Sequence, residues 1–321
     1  MDIDANLEVL WAALQPPPGH ERTRVEAEPL PAGAGVFEMQ VDLSRKPGPA
    51  GIDRLEAAAL IKRGVAPDTL ARESDARQRL VSAPGHLGGA ITEAVADQAR
   101  HPVSAVGRVT ASFDGRLRYC TGTVVTERVV LTAAHCTFSR GADLTGARGF
   151  ADWILFQPQY KGNGGAGNWA GEAAYILSGW KAPAPGTSAG AHDFSLIRLD
   201  APIAQFTGTA GMLANTVPEG PFSSLGYPRQ PGSGFAFDGR FLFASTGERI
   251  DDGSVHVIKA ENGLTEGSSG GPWMMLSGEE LLVAGLNSTK PLDSDAHTWS
   301  PLFGEGLQKL FARVLADMTG A

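Results

Sequence analysis

The segment Gly267–Pro272 combines the residue types that a serine nucleophile needs. It places Ser268 and Ser269 among three glycines and a proline. Glycine lets the backbone approach a substrate closely and adopt turns that other residues avoid. Backbone N–H groups around such a serine can converge on one point, as a developing oxyanion requires. Because a serine hydroxyl is a weak nucleophile alone, the chain must also supply a base and a group that orients it.

Two upstream segments supply those groups. Val129–Cys136 is an apolar strand pattern that ends in small residues just before His135. Small residues leave room around an imidazole, and the end of a strand fixes its position. A second alternating apolar strand, 194–199, follows Asp193, where a carboxylate can be half buried and directed at a neighbour. The predicted order along the chain is therefore His135, Asp193, Ser269.

Four segments in this order resemble the trypsin-like (chymotrypsin-fold) serine peptidases. They are Cys120–Thr123, Thr132–Cys136, Asp193–Ile197 and Gly267–Pro272, and the resemblance covers roughly residues 101–318. It implies an all-β fold of two antiparallel six-stranded β-barrels, with a C-terminal helix docked on the second barrel. It also implies a serine endopeptidase that acts on protein or peptide substrates.

The resemblance assigns a role to each predicted catalytic residue. His135 would take the proton of Ser269 as its hydroxyl attacks a peptide carbonyl, and Asp193 would stabilise the imidazolium and fix its tautomer. Backbone N–H groups of Gly267 and Ser269 would form the oxyanion hole. This chemistry needs no cofactor, and no metal-ligand spacing is found in the sequence.

Substrate preference is predicted only in part. Ser268 stands where trypsin-type zymogens carry an acid, so activation by that ion pair is not expected, and Gly226–Pro228 resembles the bacterial glutamyl-endopeptidase-like branch. The pocket floor, at Gly263, lacks the carboxylate that selects Arg or Lys. A small or apolar residue before the scissile bond is expected. The predicted substrate-binding residues are Gly263, Leu264, Glu266, Asn287, Ser288 and Thr289.

Leu264 and Asn287 replace a threonine and a histidine that glutamyl-specific relatives use, so strict Glu preference is not expected either. Lys290 is expected to be a solvated surface lysine. His192, beside Asp193, has no small residues or cysteine around it and is predicted to be structural.

Two other functions are compatible with parts of the sequence. Segment 267–271 also fits the G-x-S-x-G elbow of α/β-hydrolases, but there the acid and the histidine follow the serine. Only Asp293, Asp295 and His297 are available downstream, crowded together, so this reading fails. The alternative that stays open is a catalytically silent peptidase-fold module that recruits a partner through residues 1–100.

Composition supports a globular enzyme. The chain has 321 residues, 42% of them hydrophobic, and its 41 glycines and 21 prolines indicate many turns. A net charge of −8 argues against nucleic acid or an anionic membrane as a partner. No apolar run is long enough to predict a membrane-spanning helix.

The two cysteines, Cys120 and Cys136, fall where the family forms a disulfide. A disulfide favours a secreted or periplasmic protein. The start of the chain, Met1–Glu8, is acidic and shows no secretion signal, so the compartment stays open.

Residues 1–100 are predicted to be a partly helical, partly disordered extension, and residues 101–321 the peptidase domain. Helices are expected in 53–61 and 67–80 and over Ile91–Ala99, with the boundary at Arg100–Pro102. The extension is either an inhibitory propeptide of a zymogen or a permanent N-terminal segment. Beyond it, short runs bounded by turn residues predict strands at 103–109, 118–125, 128–132, 153–156, 194–199, 241–244, 255–260 and 281–286.

Overall fold

The structure is a computed structural model. It describes residues 25–26, 36–40, 85–141, 148–162, 165–183, 188–214, 216–218, 220–251, 253–254, 256–277, 280–290 and 295–319.

Strands are the main regular structure of the described residues. The strands are β1 (Val25–Glu26), β2 (Val36–Gln40), β3 (Gly85–Leu87), β4 (Ala90–Ala94), β5 (Val106–Phe113), β6 (Arg116–Val124), β7 (Val129–Thr132), β8 (Phe138–Arg140), β9 (Arg148–Phe150), β10 (Trp153–Pro158), β11 (Trp169–Leu177), β12 (Ser195–Leu199), β13 (Thr216–Val217), β14 (Phe222–Gly226), β15 (Phe243–Gly247), β16 (Arg249–Ile250), β17 (Val257–Glu261), β18 (Pro272–Ser277), β19 (Glu280–Leu286) and β20 (His297–Pro301). The α-helices are α1 (Ser178–Lys181), α2 (Ala204–Thr207) and α3 (Glu305–Thr319).

The first sheet closes into a barrel. Its strand order is β10-β5-β6-β7-β12-β11, and pairing of β10 with β11 joins the two ends. The short strands β7 and β12 are buried along their whole length, so their apolar runs form part of the core. The predicted all-β, chymotrypsin-like architecture is confirmed.

The second sheet has the order β19-β18-β14-β15-β4-β3, and a smaller sheet, β16-β17-β20, packs beside it. The helix predicted over Ile91–Ala99 is wrong, because Ala90–Ala94 is strand β4 and pairs with β15. Ala90 and Thr92 are buried while Ile91 between them is 48% exposed, which is the two-residue alternation of a strand. This sheet therefore includes residues upstream of the boundary predicted at Arg100–Pro102.

The C-terminal helix is confirmed as α3, but its predicted docking on the second barrel is wrong. Leu307, Leu310 and Val314 share one hydrophobic cluster with Tyr175 and Leu177 of β11, in the first barrel. The helix contacts β11, β12 and β2. An apolar stripe predicts that a helix is amphipathic, but it does not say which sheet the helix covers.

Part of the N-terminal extension belongs to the first sheet, because β2 pairs antiparallel with β11 along Ala173–Leu177. The helices predicted at 53–61 and 67–80 lie outside the described residues. The propeptide hypothesis stays a prediction. In the described part of the chain, no helix combines the length and the apolar character needed to cross a membrane.

Candidate active site

Strand pairing brings His135 and Asp193 together. Thr132, at the end of β7, is the antiparallel partner of Ser195, at the start of β12. His135 lies in a short 3-10 helix just after β7, and Asp193 lies just before β12. Because the end of one strand adjoins the start of the other, two residues far apart in sequence meet at one edge of the barrel.

The carboxylate of Asp193 is fully buried and accepts three hydrogen bonds. The Nδ1 atom of His135 lies 2.8 Å from its Oδ2 atom, and the backbone N–H of His135 donates to Oδ1 at 2.9 Å. The hydroxyl of Ser288 donates to Oδ2 at 2.5 Å. These bonds orient the imidazole so that its other nitrogen, Nε2, points away from Asp193.

Burial alone would raise the pKa of Asp193. The charge of His135 and the hydrogen bonds from His135 and Ser288 outweigh burial, so the net pKa lies below the ordinary value of 3.8. The carboxylate is therefore ionised at neutral pH and can stabilise a positive charge on the imidazole.

Ser269 lies in the loop between β17 and β18, held from several sides. Its carbonyl accepts the N–H of Thr121 at 2.8 Å, and the next residue, Gly270, donates its N–H to the carbonyl of Asn287 at 2.6 Å. Gly270 has φ +81°, and a Cβ atom there would lie 2.1 Å from the hydroxyl of Thr132. The glycine at this position is therefore what lets the Ser269 loop approach the end of β7.

The peptide planes of this loop are fixed by their carbonyl groups. The carbonyl of Glu266 accepts the N–H of Arg229 at 2.7 Å. The carbonyl of Ser268 accepts the N–H of Gly271 at 2.9 Å and the side-chain amide of Asn287 at 3.1 Å.

In a trans peptide the C=O and the following N–H point in opposite directions. The N–H groups of Gly267 and Ser269 therefore both turn away from these partners, and within the described residues neither makes a hydrogen bond. Gly267 has φ +99°, a conformation that favours glycine.

His135 and Ser269 both line a cavity of about 710 Å³. The disulfide lies beside them, since Cys136 Sγ is 3.7 Å from the carbonyl oxygen of Ser269. Among the residues predicted from sequence, the lining includes Cys120, His135, Glu266, Gly267, Ser269, Ser288 and Thr289.

The remaining predicted substrate-binding residues lie outside this lining. Gly263 is buried, and a Cβ atom on it would lie 2.1 Å from the hydroxyl of Ser233. Leu264 is buried in an apolar cluster with Phe237 and Phe243. Asn287 is buried and takes part in a network of hydrogen bonds.

Comparisons with known proteins identify the family of this chain. The family model described as Trypsin matches residues 94–303. The chain belongs to the trypsin family. A search of curated proteins finds no match.

Solved structures of proteases resemble this trypsin-family chain. The protease Anisep from Arthrobacter nicotinovorans has 22% sequence identity and a TM-score of 0.57, covering 68% of this chain and 98% of that chain. The thermostable serine protease AL20 from an extremophilic microorganism has 26% identity and a TM-score of 0.54, covering 66% and 96%. A Glu endopeptidase has 18% identity and a TM-score of 0.58, covering 74% and 99%.

The trypsin-family chain is thus a serine endopeptidase acting on protein substrates, and its predicted likeness to a Glu endopeptidase is confirmed at the level of the fold. The predicted disulfide is also present, as Cys120 and Cys136 are joined with an S–S distance of 1.99 Å. These sulfurs and a ring nitrogen of His135 lie within 4.8 Å of one another, but the sulfurs are bonded to each other and are not available as metal ligands.

Several residues that support the site of this peptidase were not predicted from sequence. The hydroxyl of Thr121 donates to the carbonyl of Gly267 at 3.0 Å and accepts the N–H of Tyr227 at 3.0 Å. Arg118 donates to the backbone carbonyl of His135. Thr121 belongs to Cys120–Thr123, one of the segments that resemble the family, so the sequence could have indicated a role for it. Nothing in the sequence singles out Arg118.

Lys290 is not the solvated surface lysine that was expected. It is partly buried, and burial lowers the pKa of its ammonium group below the ordinary value, although the charge of Asp295 opposes that shift. Its Nζ atom donates to the backbone carbonyl of Asp295.

Asn287 is the centre of a buried polar network behind the Ser269 loop. Its Oδ1 atom accepts from the side chains of Ser224, Asn262 and Trp273, at 2.7, 2.8 and 2.8 Å. Its Nδ2 atom donates to the carbonyls of Leu225 and Ser268 at 3.3 and 3.1 Å. The network ties β14 and β18 to the loop that presents Ser269.

Replacing Asn287 by alanine should lower the free energy of unfolding by about 3 kcal/mol, because buried donors lose their shared acceptor. Urea denaturation followed by fluorescence measures this. The matched control is Thr289→Ala, at an exposed position close to Asn287 in the sequence. It should change the free energy of unfolding by less than about 0.5 kcal/mol. Equal stabilities of the two variants would contradict the role assigned to the network.

His192 lies outside the cavity lining, as its predicted structural role requires. It is 4% exposed, and its ring faces Gly179, where an added Cβ would come within 2.4 Å of the imidazole. Burial, and secondarily the charge of His256, lowers the pKa of His192 below 6.5. The folded protein therefore holds this imidazole neutral at pH values where the unfolded chain protonates it.

This pKa shift predicts a loss of stability in mild acid. The contribution of His192 is complete above pH 6.5 and is lost as the pH falls from 6.5 toward the folded pKa, since the unfolded state then binds more protons. Between pH 6.5 and 5.5, wild-type stability should fall by up to about 1.4 kcal/mol per pH unit more than that of His192→Gln. Parallel curves of unfolding free energy against pH for the two proteins would contradict this.

Proposed function

We propose that the chain hydrolyses peptide bonds with Ser269 as nucleophile, His135 as general base and Asp193 as the group that orients the base. The observation that carries this proposal is the buried carboxylate of Asp193, with His135 Nδ1 at 2.8 Å and Ser288 Oγ at 2.5 Å. This carboxylate holds the imidazole of His135 by Nδ1, which leaves Nε2 to act as the base. His135 and Ser269 line the same cavity. An ionised Asp193 favours the imidazolium that forms during reaction.

The first half of the reaction forms an acyl-enzyme. The Oγ atom of Ser269 bonds to the carbonyl carbon of the scissile peptide while its proton passes to His135. The negative charge that develops on the carbonyl oxygen is bound by the N–H groups of Gly267 and Ser269. The carbonyls of Glu266 and Ser268, which belong to the same two peptide planes, are hydrogen-bonded on the opposite side and support this orientation. His135 then gives the proton to the amide nitrogen, the C–N bond breaks, and the amine leaves.

The second half repeats these steps with water. His135 takes a proton from water as the water oxygen bonds to the acyl carbon, and returns the proton to Ser269 as the ester bond breaks. Ser288 and Thr289, which line the cavity beside Asp193, would bind the acyl half of the substrate. Preference for a small or apolar residue before the scissile bond stays a prediction.

A fluorophosphonate probe tests this proposal. The wild-type protein should react once, with the added mass on the peptide that contains Ser269, and Ser269→Ala should not react. The reaction is run on the full chain and on processed material whose N-terminus has been determined by sequencing, because residues 1–100 are predicted to be either an inhibitory propeptide or a permanent N-terminal segment. Failure of both forms to react would favour the alternative, a silent binding module.

A further inference from the structure

We propose that the cleft prefers substrates with acidic residues after the scissile bond, on the leaving-group side. This inference rests on the proposed function, and it adds a substrate class to the same site. It starts from the charges along the cavity. Within the described residues, the lining contains four arginines and one acidic side chain: Arg116, Arg118, Arg140, Arg229 and Glu266.

This local charge is opposite to that of the whole chain, which carries a net −8. A cavity lined mainly by one sign of charge concentrates ligands of the complementary charge and speeds their association. Peptides with carboxylates at the right positions are therefore favoured at the encounter as well as in the complex.

Three of the arginines lie on the disulfide side of Ser269. Arg116 and Arg118 belong to β6, the strand that carries Cys120 and the Thr121 N–H bonded to the carbonyl of Ser269. The backbone of Arg229 is bonded to Glu266, next to the proposed oxyanion site.

Ser288 and Thr289 lie on the other side, next to Asp193, where the acyl half of the substrate is proposed to bind. A peptide that places its scissile carbonyl at Ser269, with its acyl half against these residues, continues on the opposite side. The residues after the scissile bond therefore contact the side of the cavity formed by the disulfide and these three arginines, which we call the basic wall.

Ring contacts hold two of these guanidinium groups in place. Arg229 stacks on Tyr119, with 3.7 Å from its Cζ atom to the ring centroid, and Arg118 lies 4.7 Å above the ring of Phe113. A guanidinium that stacks through its face presents its N–H donors at its edge, in the plane that matches a carboxylate. Cation–π stacking thus orients charge along this wall.

Quenched fluorescent peptides test the preference. They share one acyl half and carry Glu, Gln or Lys at the first and second positions after the scissile bond. We expect kcat/KM for Glu to exceed that for the isosteric Gln by about tenfold, and that for Lys by more, since a few partly exposed ion pairs act together. The Glu-to-Gln ratio should shrink as ionic strength rises, because salt screens these charges.

Arginine variants test whether the basic wall causes the preference for Glu. Arg229→Gln should reduce the Glu-to-Gln ratio about threefold, whereas Arg229→Lys, which keeps the charge, should retain more of it. Arg116→Gln should reduce the ratio in the same direction. The matched control is Arg313→Gln, on α3, whose guanidinium pairs with Asp317 away from the cavity and whose loss should leave the ratio unchanged. Arg118 is not used, because it also bonds to the carbonyl of His135.

The outcomes separate the two proposals. If no peptide is cleaved and the fluorophosphonate probe does not react, the proposed function fails. If the peptides are cleaved but the Glu, Gln and Lys forms react equally, only the acidic preference is overturned. If Arg229→Gln also loses activity on the Gln peptide, the test rests on Arg116→Gln and on the salt dependence. The proposal is overturned if the Glu-to-Gln ratio of kcat/KM changes neither in Arg116→Gln nor with ionic strength.

Discussion

Ser269→Ala should lower kcat for peptide hydrolysis by about 10⁶-fold, the size of effect seen when a serine peptidase loses its nucleophile. The substitution removes one oxygen atom at a partly exposed position, so the fold should stay intact. Initial rates on a quenched fluorescent peptide, together with thermal unfolding of each protein, measure both expectations. Ser268→Ala is the matched control.

The control is informative because the two serines are adjacent but held differently. The hydroxyl of Ser268 donates to the carbonyl of Thr265 at 2.6 Å, and its side chain is nearly buried. Its loss should therefore affect the loop and not the chemistry, with a decrease in kcat of less than about tenfold. If Ser268→Ala were as inactive as Ser269→Ala, the assignment of the nucleophile would be wrong.

A double variant sharpens the same test. If Ser269 and His135 act as one unit, Ser269→Ala/His135→Ala should be no slower than Ser269→Ala alone, since the second substitution removes nothing that still functions. Additive losses would mean that His135 contributes independently, and the general-base role would then be rejected.

The predicted site residues share one property: each lies next to a short sequence pattern that can be recognised without knowledge of distant contacts. His135 and Asp193 adjoin β7 and β12, whose residues are buried throughout, so the apolar runs that mark them persist in the fold. The loop around Ser269 was recognisable because its glycines are needed for close approach to neighbouring strands. Strand ends were less certain, as in β15, which begins at Phe243 and not at residue 241.

The features that the sequence did not predict depend on contacts between distant segments. Ala90–Ala94 is a strand because β15 supplies its hydrogen-bond partners, and Ala94 pairs with Phe243 far along the chain. The environment of Asn287 is set by β14 and β18, so its buried network has no local signature. The basic wall of the cleft likewise forms only when β6 and Arg229 converge.

Asp193→Asn should lower kcat by about 10⁴-fold at neutral pH while leaving the fold largely intact. The reason is the set of donors around this side chain. His135 Nδ1, the His135 backbone N–H and the Ser288 hydroxyl all converge on the two carboxylate oxygens. An amide offers only one acceptor oxygen, so its NH₂ group must face one side of this arrangement.

If the NH₂ group faces His135 Nδ1, that nitrogen must accept, and the ring takes the tautomer with its proton on Nε2. The imidazole then presents a donor to Ser269 and cannot take its proton. Ser288→Ala is the control, because it removes one hydrogen bond to the carboxylate but keeps both the charge and the tautomer, and about a tenfold loss is expected. Comparable losses in Asp193→Asn and Ser288→Ala would show that the charge of the carboxylate and the tautomer that it fixes add little to the rate, and the proposed role of Asp193 would have to be abandoned.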